Sequence, residues 1–127
     1  MNGEINSYRD LKVWQLSMDL VIDCYRAVKL FPKHEQFGLS SQLQRAAVSI
    51  PANIAEGHGR SYTKEYLRHI AIAKGSLVEL ETHIQIADRL NYCGEKKINE
   101  LLEKTSSIGR MLTNLRKSLI KRPGKII

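Results

Sequence analysis

Residues that mark β-rich, disulfide-rich or membrane-spanning proteins are scarce in this chain. Its 127 residues include three prolines, two cysteines and 6% aromatic residues. Two cysteines without a CxxC pair are too few for a disulfide framework, so we expect both thiols to be reduced. No apolar run approaches the roughly 20 residues that cross a bilayer, and the polar N-terminus lacks the apolar core of a signal peptide. We therefore expect a single cytoplasmic domain over 1–127 that does not associate with a membrane.

Sequence patterns typical of enzymes and metal sites are also missing. The Glu-x-x-His pairs of di-metal helical bundles do not occur, and there is no Walker loop or glycine-rich fingerprint. No arginine is followed by a histidine at the spacing used by small helical ribonucleases of the HEPN type. We interpret His34, His58, His69 and His83 as surface or loop residues. The expected protein is not an enzyme and holds no metal or cofactor.

Apolar residues recur at three- and four-residue spacing in four segments, which predicts four helices. The expected helices span about 10–30, 40–57, 63–91 and 95–121, followed by a basic tail at 122–127. Thr63 is the predicted N-cap of the third helix. Short connections between long helices favour antiparallel neighbours. The predicted fold class is all-α, an antiparallel up-down-up-down four-helix bundle.

Two features of these helices suggest additional packing partners. The first helix carries two apolar stripes, of which one is more than a single bundle core needs. The main stripe contains Leu11, Trp14, Met18, Val21, Tyr25 and Val28, and the second contains Leu16, Leu20, Cys24 and Ala27. In the third helix, Gly75 costs about 1 kcal/mol relative to alanine, so we expect another helix to approach it closely.

The most distinctive stretch of the chain, residues 45–57, consists of small and apolar residues around a proline. Pro51 cannot donate to the carbonyl of Ala47, which costs about 3 kcal/mol or more inside a helix. Because the apolar spacing continues in phase from Leu43 to Ile54, we predict a kinked but unbroken helix. Gly57 and Gly59 are predicted to end this helix, with His58 and Arg60 in the following loop.

A polar stripe runs along the same helix. It contains Arg45, Ser49, Asn53 and Glu56, with Arg60 just beyond. These side chains could form a functional site, or a hydrogen-bonded network that pairs the carbonyl freed by Pro51 and fixes a helix or subunit contact. We favour the structural interpretation, because buried polar groups must be paired whatever the function.

Positive charge is concentrated at the C-terminal end. The net charge is +7, and residues 95–127 carry nine basic and three acidic side chains, with no acid after Glu103. This pattern favours a polyanionic partner over a merely solvated helix face near the negative end of the helix dipole. The candidate nucleic-acid-binding residues are Arg110, Arg116, Lys117, Lys121, Arg122 and Lys125. Without a base-reading motif, we expect contacts to phosphates rather than to bases.

Four blocks of the sequence resemble one known family. They are Asp10–Gln15 (DLKVWQ), Phe31–Pro32 with Glu35–Leu39 (FP and EQFGL), Gln44–Gly57 (QRAAVSIPANIAEG) and Gly75–Thr82 (GSLVELET). Over about 8–119 the chain resembles the four-helix-bundle proteins encoded within intervening sequences of bacterial 23S rRNA genes. The resemblance implies a homopentameric ring. That fold is also similar to the accessory protein of diversity-generating retroelements, a basic pentamer that binds nucleic acid and works with a reverse transcriptase. The resemblance supplies no catalytic residues.

These observations lead to two functional hypotheses. The first is a non-enzymatic homo-oligomeric bundle that binds RNA or DNA through the basic face of the fourth helix. The alternative is a protein-interaction scaffold for a reverse transcriptase or a ribosome-associated partner, in which the basic face meets an acidic protein.

Overall fold

The computed structural model of the protein describes residues 5–121 and contains four long α-helices. They are α1 (Lys12–Val28), α2 (Leu39–His58), α3 (Thr63–Arg89) and α4 (Glu95–Ile120). Two short 3-10 helices, Tyr8–Asp10 and Lys33–Glu35, precede α1 and α2. The predicted all-helical fold is confirmed.

The four helices form an antiparallel bundle in which α1 and α3 each pack against both α2 and α4. Side-chain contacts give the directions. Ser49 of α2 contacts Ser76 of α3, and Asn53, further along α2, contacts His69, which comes earlier in α3. The two helices therefore run in opposite directions. The predicted four-helix bundle is therefore correct. Its core is aliphatic, and its largest fully buried side chains include Leu20, Leu43, Ile50, Ile54, Ile70, Leu80, Ile84, Leu101, Ile108 and Leu112.

Helix α2 continues through Pro51 without interruption. The prediction that the proline does not divide the helix is confirmed. The proline is buried in the same face as Ala47, Ile50 and Ile54. Packing of its ring in the core offsets part of the cost of the missing hydrogen bond.

The core-facing stripe of α1 is not the one that the sequence favours. The buried residues are Val13, Ser17, Leu20, Cys24 and Ala27. From the predicted main stripe, Met18 is 40% exposed and Tyr25 is 44% exposed. The two stripes are similarly apolar, so periodicity could not choose between them, and the positions of α2 and α4 decide which one is covered.

Three predictions about single residues near the helix ends and about a glycine are wrong. His58 is the last residue of α2 and not part of the following loop, although Gly59, one of the two glycines expected to end the helix, does occupy the C-cap position. Thr63 is the first residue of α3, and Tyr62 occupies the N-cap position. Gly75 meets no close neighbour, since a Cβ atom built there would find nothing within 4 Å. The close approach lies at Gly57 instead, where an added Cβ would stand 2.8 Å from the Cβ of His69.

The carboxylate of Glu35 links two loops at one end of the bundle, the one before α2 and the one between α3 and α4. Glu35 accepts a hydrogen bond from the backbone N–H of Leu39 at 3.1 Å and another from the Tyr92 hydroxyl at 2.7 Å. The first bond caps the start of α2, and the second reaches the α3–α4 connection. These bonds, chiefly the one from Leu39, lower the pKa of Glu35. The Tyr92 pKa is raised, mainly by the same hydrogen bond.

Helix α3 ends in a Schellman motif. Asn91 adopts a φ of 57°, the left-handed conformation in which asparagine is tolerated better than most residues. The backbone N–H of Tyr92 donates to the carbonyl of Ala87, and that of Asn91 donates to Asp88, both at 3.0 Å. These bonds pair carbonyls at the helix end that would otherwise lack a partner.

Candidate nucleic-acid interface

The second half of α4 presents a row of polar and basic side chains to solvent. Arg110, Asn114, Lys117 and Lys121 are all exposed, and their spacing places them on one side of the helix. We call these four residues the α4 basic stripe. From Arg110 to Lys121 it extends about 16 Å at 1.5 Å per residue. This length is suited to contacting successive phosphates of a nucleic acid backbone.

The other predicted binding residues are not part of this stripe. Arg116 is exposed but lies about 100° around the helix from Lys117, so it projects in a different direction. Arg122 and Lys125 lie outside the described residues. That all six side chains form one site stays a prediction. The geometry places three of them, Arg110, Lys117 and Lys121, on one side of α4.

The basic residues of the stripe have no carboxylate partner among the described residues, a property that they share with most of the other lysines and arginines there. Arg60, Lys97 and Lys104 each form an ion pair with a carboxylate. Within residues 5–121, no ion pair involves Arg110, Lys117 or Lys121; Arg110 donates to the hydroxyl of Ser106 at 3.0 Å. Their charges therefore remain available to an external anion.

A second cluster of polar residues lies between α2 and α3. The hydroxyls of Ser49 and Ser76 share a hydrogen bond at 2.7 Å. The Asn53 amide donates to the Ser49 carbonyl at 2.9 Å and to its hydroxyl at 3.1 Å. The Asn53 carbonyl oxygen lies 3.1 Å from Nδ1 of His69, which makes that nitrogen the donor. We call Ser49, Asn53, His69 and Ser76 the α2–α3 polar seam.

The polar seam joins α2 and α3 by hydrogen bonds, near the close contact between Gly57 and His69. Its bonds reach the carbonyl of Ser49 rather than that of Ala47, so they do not pair the group that Pro51 leaves free. Glu56 extends the seam outward, 4.0 Å from Nε2 of His69 and 2.8 Å from Arg60. Arg45 is exposed, and within the described part of the chain no hydrogen bond or ion pair connects it to the seam. The interpretation of these residues as a structural motif stays a prediction.

Two histidines are buried, contrary to the sequence interpretation. His69 is 5% exposed and His83 is 8% exposed. His69, Ser76 and His83 recur every seven residues of α3, which is the signal that could have placed them beside the apolar seam. Nε2 of His83 forms a hydrogen bond with Glu79 at 3.2 Å, whereas its buried Nδ1 has no hydrogen-bond partner in the described part of the chain. Among residues 5–121, no three His, Cys, Asp or Glu side chains are grouped to hold a metal ion.

The outer side of α1 is apolar and uncovered. Met18, Ile22 and Tyr25 are 40%, 48% and 44% exposed, and their spacing places them along one face of the helix. An open groove of about 630 Å³ lies beside Ile22 and Tyr25, between α1 and the start of α2. Phe37, in the loop before α2, is 89% exposed. We call Met18, Ile22 and Tyr25 the α1 apolar face. Contiguous exposed apolar side chains of this kind are typical of contact surfaces.

Both cysteines are free thiols. Cys24 is buried in the core, and desolvation raises its pKa to about 12. Burial also raises the pKa of Cys93, although this residue is only partly buried. Burial likewise raises the pKa of Tyr66, beneath Gly57, to about 12.

Within residues 5–121, no helix combines the length and apolar character that a bilayer crossing requires.

Comparison with solved structures supports the fold. A crystal structure at 1.70 Å of a protein of unknown function from the S23 ribosomal protein family of Bacteroides thetaiotaomicron VPI-5482 superposes with a TM-score of 0.75. The alignment covers 83% of this chain and 98% of the other, at 20% sequence identity. At this identity the likeness concerns the fold alone. No curated protein matches the chain significantly.

Comparison with family models matches residues 9–114 to the family described as 23S rRNA-intervening sequence protein. The matched range begins just before α1 and includes α1, α2, α3 and most of α4. It contains both the α2–α3 polar seam and the first half of the α4 basic stripe. The chain therefore belongs to the 23S rRNA-intervening sequence protein family.

Proposed function

We propose that this protein is a non-enzymatic, oligomeric helical bundle of the bacterial cytoplasm that binds RNA or DNA through the α4 basic stripe. The observation that carries the proposal is the set of three exposed basic side chains, Arg110, Lys117 and Lys121, without a carboxylate partner among the described residues. Such a row attracts polyanions, since each phosphate neutralised releases a condensed counterion.

The chemistry of the stripe favours recognition of the backbone over recognition of bases. Lysine and arginine donate hydrogen bonds to phosphate oxygens without regard to sequence. The stripe is nearly straight and lies on a convex helix surface. It therefore suits binding that depends on charge and on the shape of the nucleic acid.

Binding across a salt series tests the proposal. Nuclease-treated protein is titrated into a fluorescein-labelled RNA hairpin and into a DNA duplex of equal length at several salt concentrations. With three to four phosphate contacts per subunit, the log–log slope is expected to be about −2 to −4 per subunit. The triple variant Arg110→Glu/Lys117→Glu/Lys121→Glu should abolish binding.

The control is a triple variant with the same change of net charge. Lys12→Glu/Lys29→Glu/Lys33→Glu replaces three exposed lysines of α1 and the segment after it. Binding should persist in this variant with a similar salt slope. An equal loss of affinity in both triple variants would show that net charge, and not the stripe, governs the interaction. Unchanged binding by the α4 triple variant would contradict the proposal.

The oligomeric part of the proposal rests on the α1 apolar face. Burying Met18, Ile22 and Tyr25 against a second copy would remove from water an apolar surface that the isolated bundle leaves exposed. Sedimentation velocity measures the assembly directly. Ile22→Glu is expected to shift the protein to monomers, whereas Val78→Glu, at an exposed position on α3, should not. A monomeric wild-type protein at micromolar concentrations would contradict the assembly.

A protein partner is the second candidate function. Phe37, in the loop before α2, is 89% exposed and follows Gln36, which lines the open groove between α1 and α2; an aromatic ring beside a groove can anchor a protein partner. Affinity purification with and without nuclease separates the two functions. An acidic partner that is retained after nuclease treatment and lost in Phe37→Ser would favour the scaffold.

A further inference from the structure

A groove between α3 and α4 lies beside the α4 basic stripe and shares two residues with it. Arg110 and Asn114 of the stripe line one wall, together with Ser106 and Thr113. Lys74 lines the opposite wall from α3. The groove is open to solvent and has a volume of about 490 Å³. It thus brings a second basic residue, from a different helix, to the side of the stripe.

The two cations of the groove are bound only to neutral groups. Nζ of Lys74 donates to the hydroxyl of Thr113 at 3.4 Å, across the groove, and Arg110 donates to the hydroxyl of Ser106. Neither is ion-paired with a carboxylate within residues 5–121. An ammonium has three donors and a guanidinium five, so most of their hydrogen-bonding capacity is unused by these contacts.

The groove has room for an anion because its α4 wall is built from small residues. Ser106, Gly109 and Thr113 succeed one another at three- and four-residue spacing. At Gly109 an added Cβ would already stand 3.4 Å from a methyl group of Leu77, so the two helices are in close contact beneath the groove. The open space therefore lies above this floor, beside the Lys74 side chain.

One acidic residue also lines the groove and limits where an anion can bind. Glu81 lies seven residues after Lys74 on α3, about 10 Å along the helix axis. Its carboxylate disfavours a second anion at that end. The favourable position is the opposite end, where Lys74, Thr113 and Asn114 supply ammonium, hydroxyl and amide donors, while the Arg110 guanidinium is directed toward Ser106.

We propose that this groove is a subsite for one phosphate group of the nucleic acid backbone, held by Lys74 of α3 together with Thr113 and Asn114 of α4. Donors from two helices suit a tetrahedral oxyanion with several free oxygens, more than the planar carboxylate of an acidic protein. The subsite rests on the proposed nucleic-acid function and deepens it. The binding surface then extends from α4 onto α3, which fixes the position of the backbone across the bundle.

A charge-removing variant with a matched control tests the subsite. Lys74→Gln removes the charge but keeps a donor that can reach Thr113. Lys29→Gln makes the same change at the residue that follows α1, and within the described residues α1 does not contact α3. With the labelled RNA hairpin and DNA duplex, Lys74→Gln should reduce the salt slope by about one and the affinity roughly tenfold at 0.1 M salt. Lys29→Gln should leave both unchanged. An unaltered slope in Lys74→Gln would overturn the subsite.

Titration with inorganic phosphate separates failure of the subsite from failure of the nucleic-acid function. Amide NMR shifts of Ser106, Gly109 and Thr113 are followed in the full-length protein at constant ionic strength. Saturable shifts that disappear in Lys74→Gln and persist in Lys29→Gln are expected. Such shifts without any nucleic acid binding would uphold the anion site and refute the proposed function. Nucleic acid binding without them, and with a normal slope in Lys74→Gln, would refute the subsite alone.

Discussion

Replacement of Gly57 by alanine should destabilise the protein even though alanine is the better helix former. An added Cβ would lie 2.8 Å from the Cβ of His69 and 3.0 Å from Cδ1 of Tyr66. Carbon atoms pack best at about 3.5–4.0 Å, so the overlap approaches 1 Å and neither partner is the flexible end of a side chain. Helices α2 and α3 would have to separate.

The magnitude follows from two opposing effects. Alanine gains about 1 kcal/mol in helix propensity over glycine. Overpacking of a close contact costs about 1–3 kcal/mol, and this overlap belongs at the upper end. The expected net loss for Gly57→Ala is about 1–2 kcal/mol, which lowers the melting temperature by roughly 4–8 °C in a domain of this size.

Gly75→Ala is the matched control, because the same substitution in α3 meets nothing within 4 Å. There only the helix-propensity gain remains, so stability should rise by about 0.5–1 kcal/mol. Urea unfolding followed by circular dichroism measures both variants against wild type. If Gly57→Ala proved as stable as wild type, the close approach of α2 and α3 at this glycine would be refuted.

Three further perturbations test other parts of the structure. The hydrogen bonds to Glu35 lower its folded-state pKa from 4.5, so they contribute stability that is present above that pH and lost as the pH falls through the lowered value. Glu35→Gln should therefore reduce the urea midpoint at pH 7 and differ little from wild type at pH 2.5; an equal difference at both values would contradict the assignment. Asn91→Gly should be neutral or stabilising in thermal unfolding, whereas Asn91→Val should cost about 1–2 kcal/mol, since φ is 57° there. Under iodoacetamide at pH 8, peptide mass spectrometry should show alkylation of Cys93 well before Cys24, which is fully buried and whose pKa is raised to about 12. Early labelling of Cys24 in folded protein would place it outside the core.

The sequence predicted the core-facing sides of α3 and α4 well, because each has one continuous apolar seam. In α4 the apolar spacing predicts a seam, and all its members are buried except Leu115, which is partly buried: Ile98, Leu101, Thr105, Ile108, Leu112, Leu115 and Leu119. The orientation of α1 could not be predicted in this way. Its two stripes are both apolar, and only the positions of neighbouring helices determine that Leu20 is buried while Tyr25 is not.

Features that depend on contacts between distant residues were also missed. Gly57 has the signature of a helix stop, but its role depends on His69, which the sequence places on another helix. Lys74 could not be identified from the sequence, because α3 carries balanced charge as a whole. Lys74 and Arg110 line the same groove only because α3 and α4 pack side by side. The candidate interface was therefore predictable as a basic helix, and not as a groove between two helices.

The α2–α3 polar seam has a consequence for the order in which the bundle opens. Where Gly57 meets Tyr66 and His69, the two backbones are too close for solvent to enter, and the bond between Ser49 and Ser76 holds the same helices two turns further along. We expect α2 and α3 to behave as one cooperative unit in native-state hydrogen exchange, with their amides exchanging last. The outer helices α1 and α4 would then detach at lower free energy. The α4 basic stripe and the α1 apolar face would thus lie on the more labile half of the molecule, whereas Lys74 of the proposed subsite would lie on the more stable half.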